Sequence, residues 1–217
     1  MKILALDTAT ERCSAALWIN GRIIERSQDT QRSHAELILP MIAGLLLEGG
    51  VELHALDGLA YGRGPGAFTG VRIAIGVVQG LAFGARLPTV GISDLAALAQ
   101  QTAHPDREIL VCMDARMGEV YWARFRSEPA AGFVRAVSEE RVDRPEAVRA
   151  DGAQLCVGTG FKAYPQLAPQ GACVYEQMLP RAREIALLAE AEFRAGRGAP
   201  ATHAAPVYLR DQVVHRK

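Results

Sequence analysis

Aromatic side chains are scarce in this sequence, 6% of 217 residues, although 49% of it is hydrophobic. Its core therefore has to be built from Ala, Leu, Val and Ile, in one domain or in two lobes of roughly 100 residues each. An excess of charge of either sign is also lacking: 24 basic and 24 acidic side chains leave a formal net charge of zero. An autonomous nucleic-acid binder normally carries a basic excess, so a role around RNA needs a partner that supplies the charge. The four cysteines, Cys13, Cys112, Cys156 and Cys173, contain no Cys-x-x-Cys pair and lie far apart. They read as reduced thiols in a cytoplasmic protein. The opening MKILALDTAT reaches Asp7 too early for the apolar region of a signal peptide. The longest apolar stretch, residues 73–85, is interrupted by Gln79 and is too short to span a bilayer, so no membrane role is expected.

Glycine, by contrast, is concentrated in one place. Residues 62–76 read GRGPGAFTGVRIAIG, with Gly62, Gly64, Pro65, Gly66 and Gly70 ahead of a rising apolar run. Glycine allows positive φ and close backbone approach, and proline fixes φ, so the segment specifies one loop leading into a helix. Backbone N–H groups in front of a helix suit either an anion or a closely packed backbone. A P-loop would need Gly-Lys-Ser/Thr, and no lysine follows any glycine. A dinucleotide fingerprint from Gly62 ends on Ala67, with no acidic residue suitably placed about 20 residues on. Both nucleotide motifs are weak.

Periodicity and turn chemistry predict the elements. Residues 3–6 form a buried strand ending at Asp7; residues 14–19 and 22–26 form a hairpin around Asn20-Gly21. A helix starts at Ser33, which has capping-box spacing to Glu36, and Pro40 inside it should produce a kink. Residues 56–61 enter the glycine loop as a strand. A second helix covers residues 68–85, and Ser93 or Asp94 opens a third through Ala99. The polar stretch 101–106 marks a lobe boundary, giving lobes 1–103 and 104–217, with the last segment able to pack back on the first. Beyond it, residues 109–113 end in Asp114, turn at 116–118 and return as strand 120–125. Asp143 and Glu146 again have capping-box spacing, residues 155–157 lead into Gly158-Thr-Gly160, and residues 184–193 form a helix. Two strands that each end in aspartate and feed a turn and another strand suggest a duplicated lobe.

Taken together, ILALDTAT, Ser33-His34-Ala-Glu36, GPGAFTGVRIAIG, Met113-Asp114-Ala-Arg116-Met-Gly-Glu119-Val-Tyr121-Trp and Pro206-Val-Tyr208-Leu-Arg210 occur in order. In this the chain resembles the bacterial TsaB (YeaZ) family over nearly its whole length. The resemblance implies an α/β, actin-like (ribonuclease-H-type) fold with two small lobes of mixed sheets and flanking helices. It also implies a non-catalytic subunit for making threonylcarbamoyladenosine beside the tRNA anticodon. Such a subunit pairs with the catalytic paralogue TsaD, is joined by the ATPase TsaE, and meets tRNA only within that complex.

The catalytic paralogue holds a metal through two histidines four apart on its first helix. Here His34 stands at the matching position, but the residue four later is Ile38; His54, His104, His203 and His215 include no such pair. His34 reads as a polar helix-start residue, and no metal or other cofactor is expected. Asp7 and Asp114 stand where actin-like ATPases keep aspartates facing metal and phosphate, and Gly158 and Gly160 could form an adenosine loop. A vestigial, weak nucleotide site at these four residues is left open, each aspartate otherwise capping its own turn.

A binding surface has firmer physical support. Apolar side chains occupy nearly every direction of both helices, including Leu37, Ile38, Met41 and Leu45 of the first and Phe68, Val71, Ile75 and Phe83 of the second. A helix apolar all round is buried on more than one side. Gly76, Gly80 and Gly84 form a side-chain-free ridge that costs about 1 kcal/mol of helix propensity per glycine. The ridge meets either another subunit, together with His34, Arg72 and Gln79, or only the chain's own sheet. Tyr121, Trp122 and Phe125 read as strand core, the arginines at 181, 183, 194 and 197 as a solvated helix face, and Arg210, His215, Arg216 and Lys217 as a modestly basic tail. The leading expectation is a partner-binding subunit that is a homodimer when alone. The alternative is an ATP- or metal-dependent enzyme, kinase-like or peptidase-like, working in an inter-lobe cleft.

Overall fold

The computed structural model describes residues 1–103, 107–128, 132–150 and 152–210. Part of the expected boundary (residues 104–106) and the basic tail with His215, Arg216 and Lys217 lie outside them, as does His104. The chain divides into two compact units, Met1–Ala97 with Pro180–Pro206, and Leu98–Leu179 with the segment from Val207 on.

In the first unit, β1 (Lys2–Asp7), β2 (Arg12–Ile19) and β3 (Arg22–Asp29) form an antiparallel meander. Asn20 and Gly21 both take positive φ, 46° and 95°, as a two-residue turn with right-handed twist requires. Helix α1 (His34–Gly49) follows and runs on through Pro40. The capping box does not form: Ser33 has no side-chain cap bond, and its N–H instead donates to Thr30 Oγ1 at 3.2 Å. Then come β4 (Gly58–Gly62), α2 (Phe68–Ala85), β5 (Thr89–Ile92) and α3 (Asp94–Gln101). The sheet order is β3-β2-β1-β4-β5, with β1, β4 and β5 parallel.

Side-chain alternation along β1 builds two core layers. Leu4 and Leu6 face α1 and α2, packing with Ile38, Ile42, Leu45, Val71, Ile75 and Val78. Ile3 and Ala5 point the other way, against Ala182, Ile185, Ala186 and Ala189 of the last helix, Ala182–Arg194. By length and composition alone α2 is long and apolar enough to cross a membrane, a test that buried core helices pass as well. In this fold its buried side chains serve the core of the first unit.

The second unit holds β6 (Glu108–Arg116), β7 (Glu119–Glu128), β8 (Phe133–Ala136), β9 (Arg141–Asp143), β10 (Leu155–Val157), the short α4 (Gly160–Ala163) and β11 (Cys173–Tyr175). Helix Ala182–Arg194, α5, returns to the first unit. The sheet order is β11-β10-β6-β7-β8, with β9 also paired to β7. Read from its other edge, it repeats the first sheet strand for strand: an antiparallel meander β6-β7-β8, then β10 and β11 parallel to β6. Trp122 and Phe125 are buried, and Tyr121 is half-buried.

The Asp143–Glu146 capping box is absent as well. Asp143 Oδ2 accepts the Trp122 indole N–H at 2.9 Å, and a single 3-10 turn, Pro145–Ala147, starts after Arg144. The arginines in and beside α5 are ion-paired as well as solvated: Arg181 with Glu184, Arg194 with Glu190 and Arg197 with Glu192.

Candidate functional site

The glycine loop faces the chain's own backbone. A Cβ on Gly66 would lie 2.5 Å from Ala9 O, and one on Gly70 would collide with Thr8 O. Ala67 N–H donates to Ala9 O at 2.7 Å, and Thr8 Oγ1 donates to Gly70 O at 2.7 Å. The glycines thus let the first turn of α2 lie against the turn between β1 and β2. Of the two uses open to such a loop, close backbone packing is the one realised here.

Asp7, at the end of β1, is fully buried. Its Oδ1 accepts the Ala9 N–H at 2.8 Å, so it caps its own turn. Its neighbour is Asp94, the first residue of α3, also fully buried, whose Oδ2 accepts the Gly64 N–H at 2.7 Å. Both carboxyls converge on Gly62, where a Cβ would stand 2.5 Å from Asp94 Oδ1 and 2.7 Å from Asp7 Oδ1. Burial pushes the Asp7 carboxyl up to about 6, against the opposing pull of the Ala9 amide and Asp94. Burial, and then the Asp7 charge, holds the Asp94 carboxyl well above the ordinary carboxylate range. A carboxyl enclosed this way does not face a phosphate, which corrects the nucleotide reading of Asp7.

The other three residues of that reading also have structural duties. Asp114 Oδ1 accepts the Arg116 N–H at 2.8 Å and its Oδ2 pairs with the Arg116 guanidinium at 3.2 Å. A Cβ on Gly158 would collide with Cys112 O, and one on Gly160 would lie 2.7 Å from Cys112 Cβ. Both glycines are there to let the chain pass β6 closely. His34 is buried too, its Nε2 2.8 Å from Thr10 O, so it ties the start of α1 to the β1–β2 turn.

Helices α1 and α2 lie side by side on one face of the first sheet. The structure sorts their proposed contact residues into two sets. Ile38, Leu45, Val71 and Ile75 belong to the core, a correction to their reading as surface residues that follows from their place against Leu4, Leu6 and Leu59. Leu37 and Met41 are half-buried at its margin. Gln79 is tied inward, donating from Nε2 to Ala204 O at 2.8 Å. The exposed set is Phe68 (59%) and Phe83 (77%), with Arg72 stacked over the Phe68 ring at 3.3 Å. Leu39 (50%) and Leu47 (84%) project from α1. Gly76, Gly80 and Gly84 all lie on the outer side of α2: among the described residues, nothing comes within 4 Å of a Cβ built on any of them. The ridge therefore does not pack on the chain's own sheet.

The family model for TsaD, tRNA N6-adenosine threonylcarbamoyltransferase, matches residues 23–217. The tRNA threonylcarbamoyladenosine biosynthesis protein TsaB of Escherichia coli (strain K12) is 42% identical over 227 residues, covering 100% of this chain and 98% of that protein. The chain belongs to the TsaB family. TsaB of Haemophilus influenzae is 39% identical over 229 residues, covering 100% of this chain and 97% of its own length. The solved structure of YeaZ from Pseudomonas aeruginosa has a TM-score of 0.88 at 44% identity, covering 96% of this chain and 99% of that one. Another structure from that organism, described as similar to peptidase YeaZ, has a TM-score of 0.89 at 43% identity. The two mixed sheets with flanking helices are thus the actin-like fold of this TsaB-type family.

Two features of this TsaB-family chain escaped sequence reading. In the sequence Asp94 shows only as a helix opener, because Asp7, which converges with it on Gly62, is remote in sequence and no local pattern joins them. Arg210, read as part of a basic tail, instead organises the β6–β7 turn. Its guanidinium donates to Ala115 O at 3.0 Å and to Glu119 Oε2 at 2.6 Å, and lies 6.0 Å from the centre of the Tyr121 ring. That turn needs such support, because Arg116 and Met117 both take positive φ, 62° and 56°.

Proposed function

We propose that this chain serves the synthesis of threonylcarbamoyladenosine on tRNA as a non-catalytic, cytoplasmic subunit. It docks on the catalytic paralogue TsaD through the outer faces of α1 and α2, and the ATPase TsaE joins the pair. Without TsaD, two copies associate through the same surface. tRNA is met only within the complex.

The outward glycine ridge of α2 carries this reading. Each exposed glycine costs about 1 kcal/mol of helix propensity relative to alanine, and no contact inside the described chain offsets it. A partner backbone seated on the ridge would offset it, with Phe68, Phe83, Leu39 and Leu47 supplying apolar contact at its sides. The enclosure of Asp7 and the bond from His34 to Thr10 support a non-catalytic role, since neither side chain is presented to a substrate.

Two measurements test the reading. A reconstituted tRNA modification assay with TsaD and TsaE should give product only when this chain is added, and equal product without it contradicts the proposal. Calorimetric titration of the isolated chain with ATP and magnesium separates a subunit from an enzyme. Tight, saturable binding would favour the enzyme.

A further inference from the structure

In the first unit, the carboxyl oxygens Asp7 Oδ2 and Asp94 Oδ1 are buried without a donor from any other group among the described residues. The companion oxygens are engaged by backbone amides, Asp7 Oδ1 by Ala9 and Asp94 Oδ2 by Gly64. The two side chains meet over Gly62, where only a glycine leaves room for both. Two carboxylates this close and fully buried cannot both be ionised, because each charge disfavours the other and neither reaches water. One proton between them removes the repulsion and supplies the missing donor.

We propose that Asp7 and Asp94 share a single proton at neutral pH, and that this proton is the latch holding the glycine loop and the first turn of α2 onto the β1–β2 turn. Asp94 holds Gly64 from both sides: its N–H donates to Gly64 O at 3.1 Å and its carboxyl accepts the Gly64 N–H. Asp7 Oδ1 holds Ala9 by its N–H, and the carbonyl of the same residue accepts the Ala67 N–H at the mouth of α2. The chain of contacts thus runs from α3 through the loop and the shared proton to β1 and on to α2. Loss of the proton to solvent leaves two negative charges enclosed, and the loop has to open to admit water.

The other titratable groups facing the pair are His34 of α1, Cys13 of β2 and Arg63 of the loop. Burial, and then the Asp7 charge, pushes the Cys13 thiol up to about 11, so it stays neutral across the range that matters. Both carboxyls are raised, so the folded chain keeps protons that the unfolded chain releases near pH 4. The stabilisation supplied by the bound protons is therefore full below about pH 4, where both carboxyls are protonated, and is lost as pH rises through the titrations of the pair, the shared proton being the last to leave.

Asp94→Asn tests this, because an amide can still accept the Gly64 N–H and donate to Asp7 with no proton to lose. The denaturation midpoint of the wild-type chain should fall from about pH 5 to about pH 9, while that of Asp94→Asn stays flat and ends higher. The mirror variant Asp7→Asn should flatten the curve in the same way. NMR of the aspartate carboxyl carbons reads the proton directly. One protonated aspartate should be seen at neutral pH in the wild type and none in either variant. Parallel stability curves for wild type and both variants, or a wild type with every aspartate ionised at neutral pH, would overturn the proposal.

Discussion

Gly70 and Gly80 share helix α2 and obey opposite constraints. Gly70 lies against the Thr8 carbonyl, where no side chain fits; Gly80 has open space around it. Gly70→Ala should therefore destabilise the isolated chain by about 1–3 kcal/mol through overpacking. Gly80→Ala should stabilise it by about 1 kcal/mol through helix propensity. Urea unfolding of the two variants checks the contrast, and a loss of stability in both would place the ridge against the chain itself. In the second unit, Asp143 satisfies the buried indole N–H of Trp122. Asp143→Ala leaves that donor unpaired and should cost about 1–3 kcal/mol by the same measurement. A change within experimental error would mean that water takes the place of the carboxylate.

At the scale of elements, the two helices on one face of the first sheet differ in what their outer sides offer. α1 presents leucines, Leu39 and Leu47, and α2 presents two phenylalanines with a ridge of glycines between them. Replacing Gly76, Gly80 and Gly84 together by alanine should raise the stability of the isolated chain by up to about 3 kcal/mol and weaken its binding to TsaD. Thermal unfolding and a binding titration on the same sample read the two effects separately. Tighter binding after the replacement would contradict a close backbone contact at the ridge. Much of this is legible in the sequence: a glycine-proline loop marks the start of α2 and an apolar run sustains it over 68–85, and the helix occupies Phe68–Ala85. Strand β5 leaves no signal in the sequence, because Thr-Val-Gly-Ile is too short to show alternation. Both capping boxes failed for one reason: the spacing of Ser33 and Glu36, or of Asp143 and Glu146, says nothing of the stronger partner a side chain or backbone finds elsewhere. Periodicity could show that both helices were apolar all round, but not which residues faced inward. Periodicity alone therefore does not separate Ile38, Leu45, Val71 and Ile75, which belong to the core, from the exposed contact residues.

Across the whole molecule, one strand plan is used twice, and the aspartates on the first strand of each copy, Asp7 at the end of β1 and Asp114 two residues before the end of β6, have different surroundings. Asp7 is enclosed and paired with Asp94, while Asp114 caps the turn that Arg210 secures. The first unit is completed by α5, whose sequence lies beyond the second unit's sheet, so a boundary drawn from composition alone would assign that helix elsewhere. Among the described residues, nothing covers the glycine ridge on the outer side of α2 in the first unit, the face proposed to meet TsaD or a second copy. Gly80→Leu fills the ridge without touching the core, so this variant should be folded and at least as stable as the wild type. Its mass in solution, measured alone and mixed with TsaD, is the decisive observation. The wild type should sediment as a dimer alone and as a complex with TsaD, and Gly80→Leu as a folded monomer in both cases. A Gly80→Leu variant that still assembles like the wild type would contradict the assignment of this face.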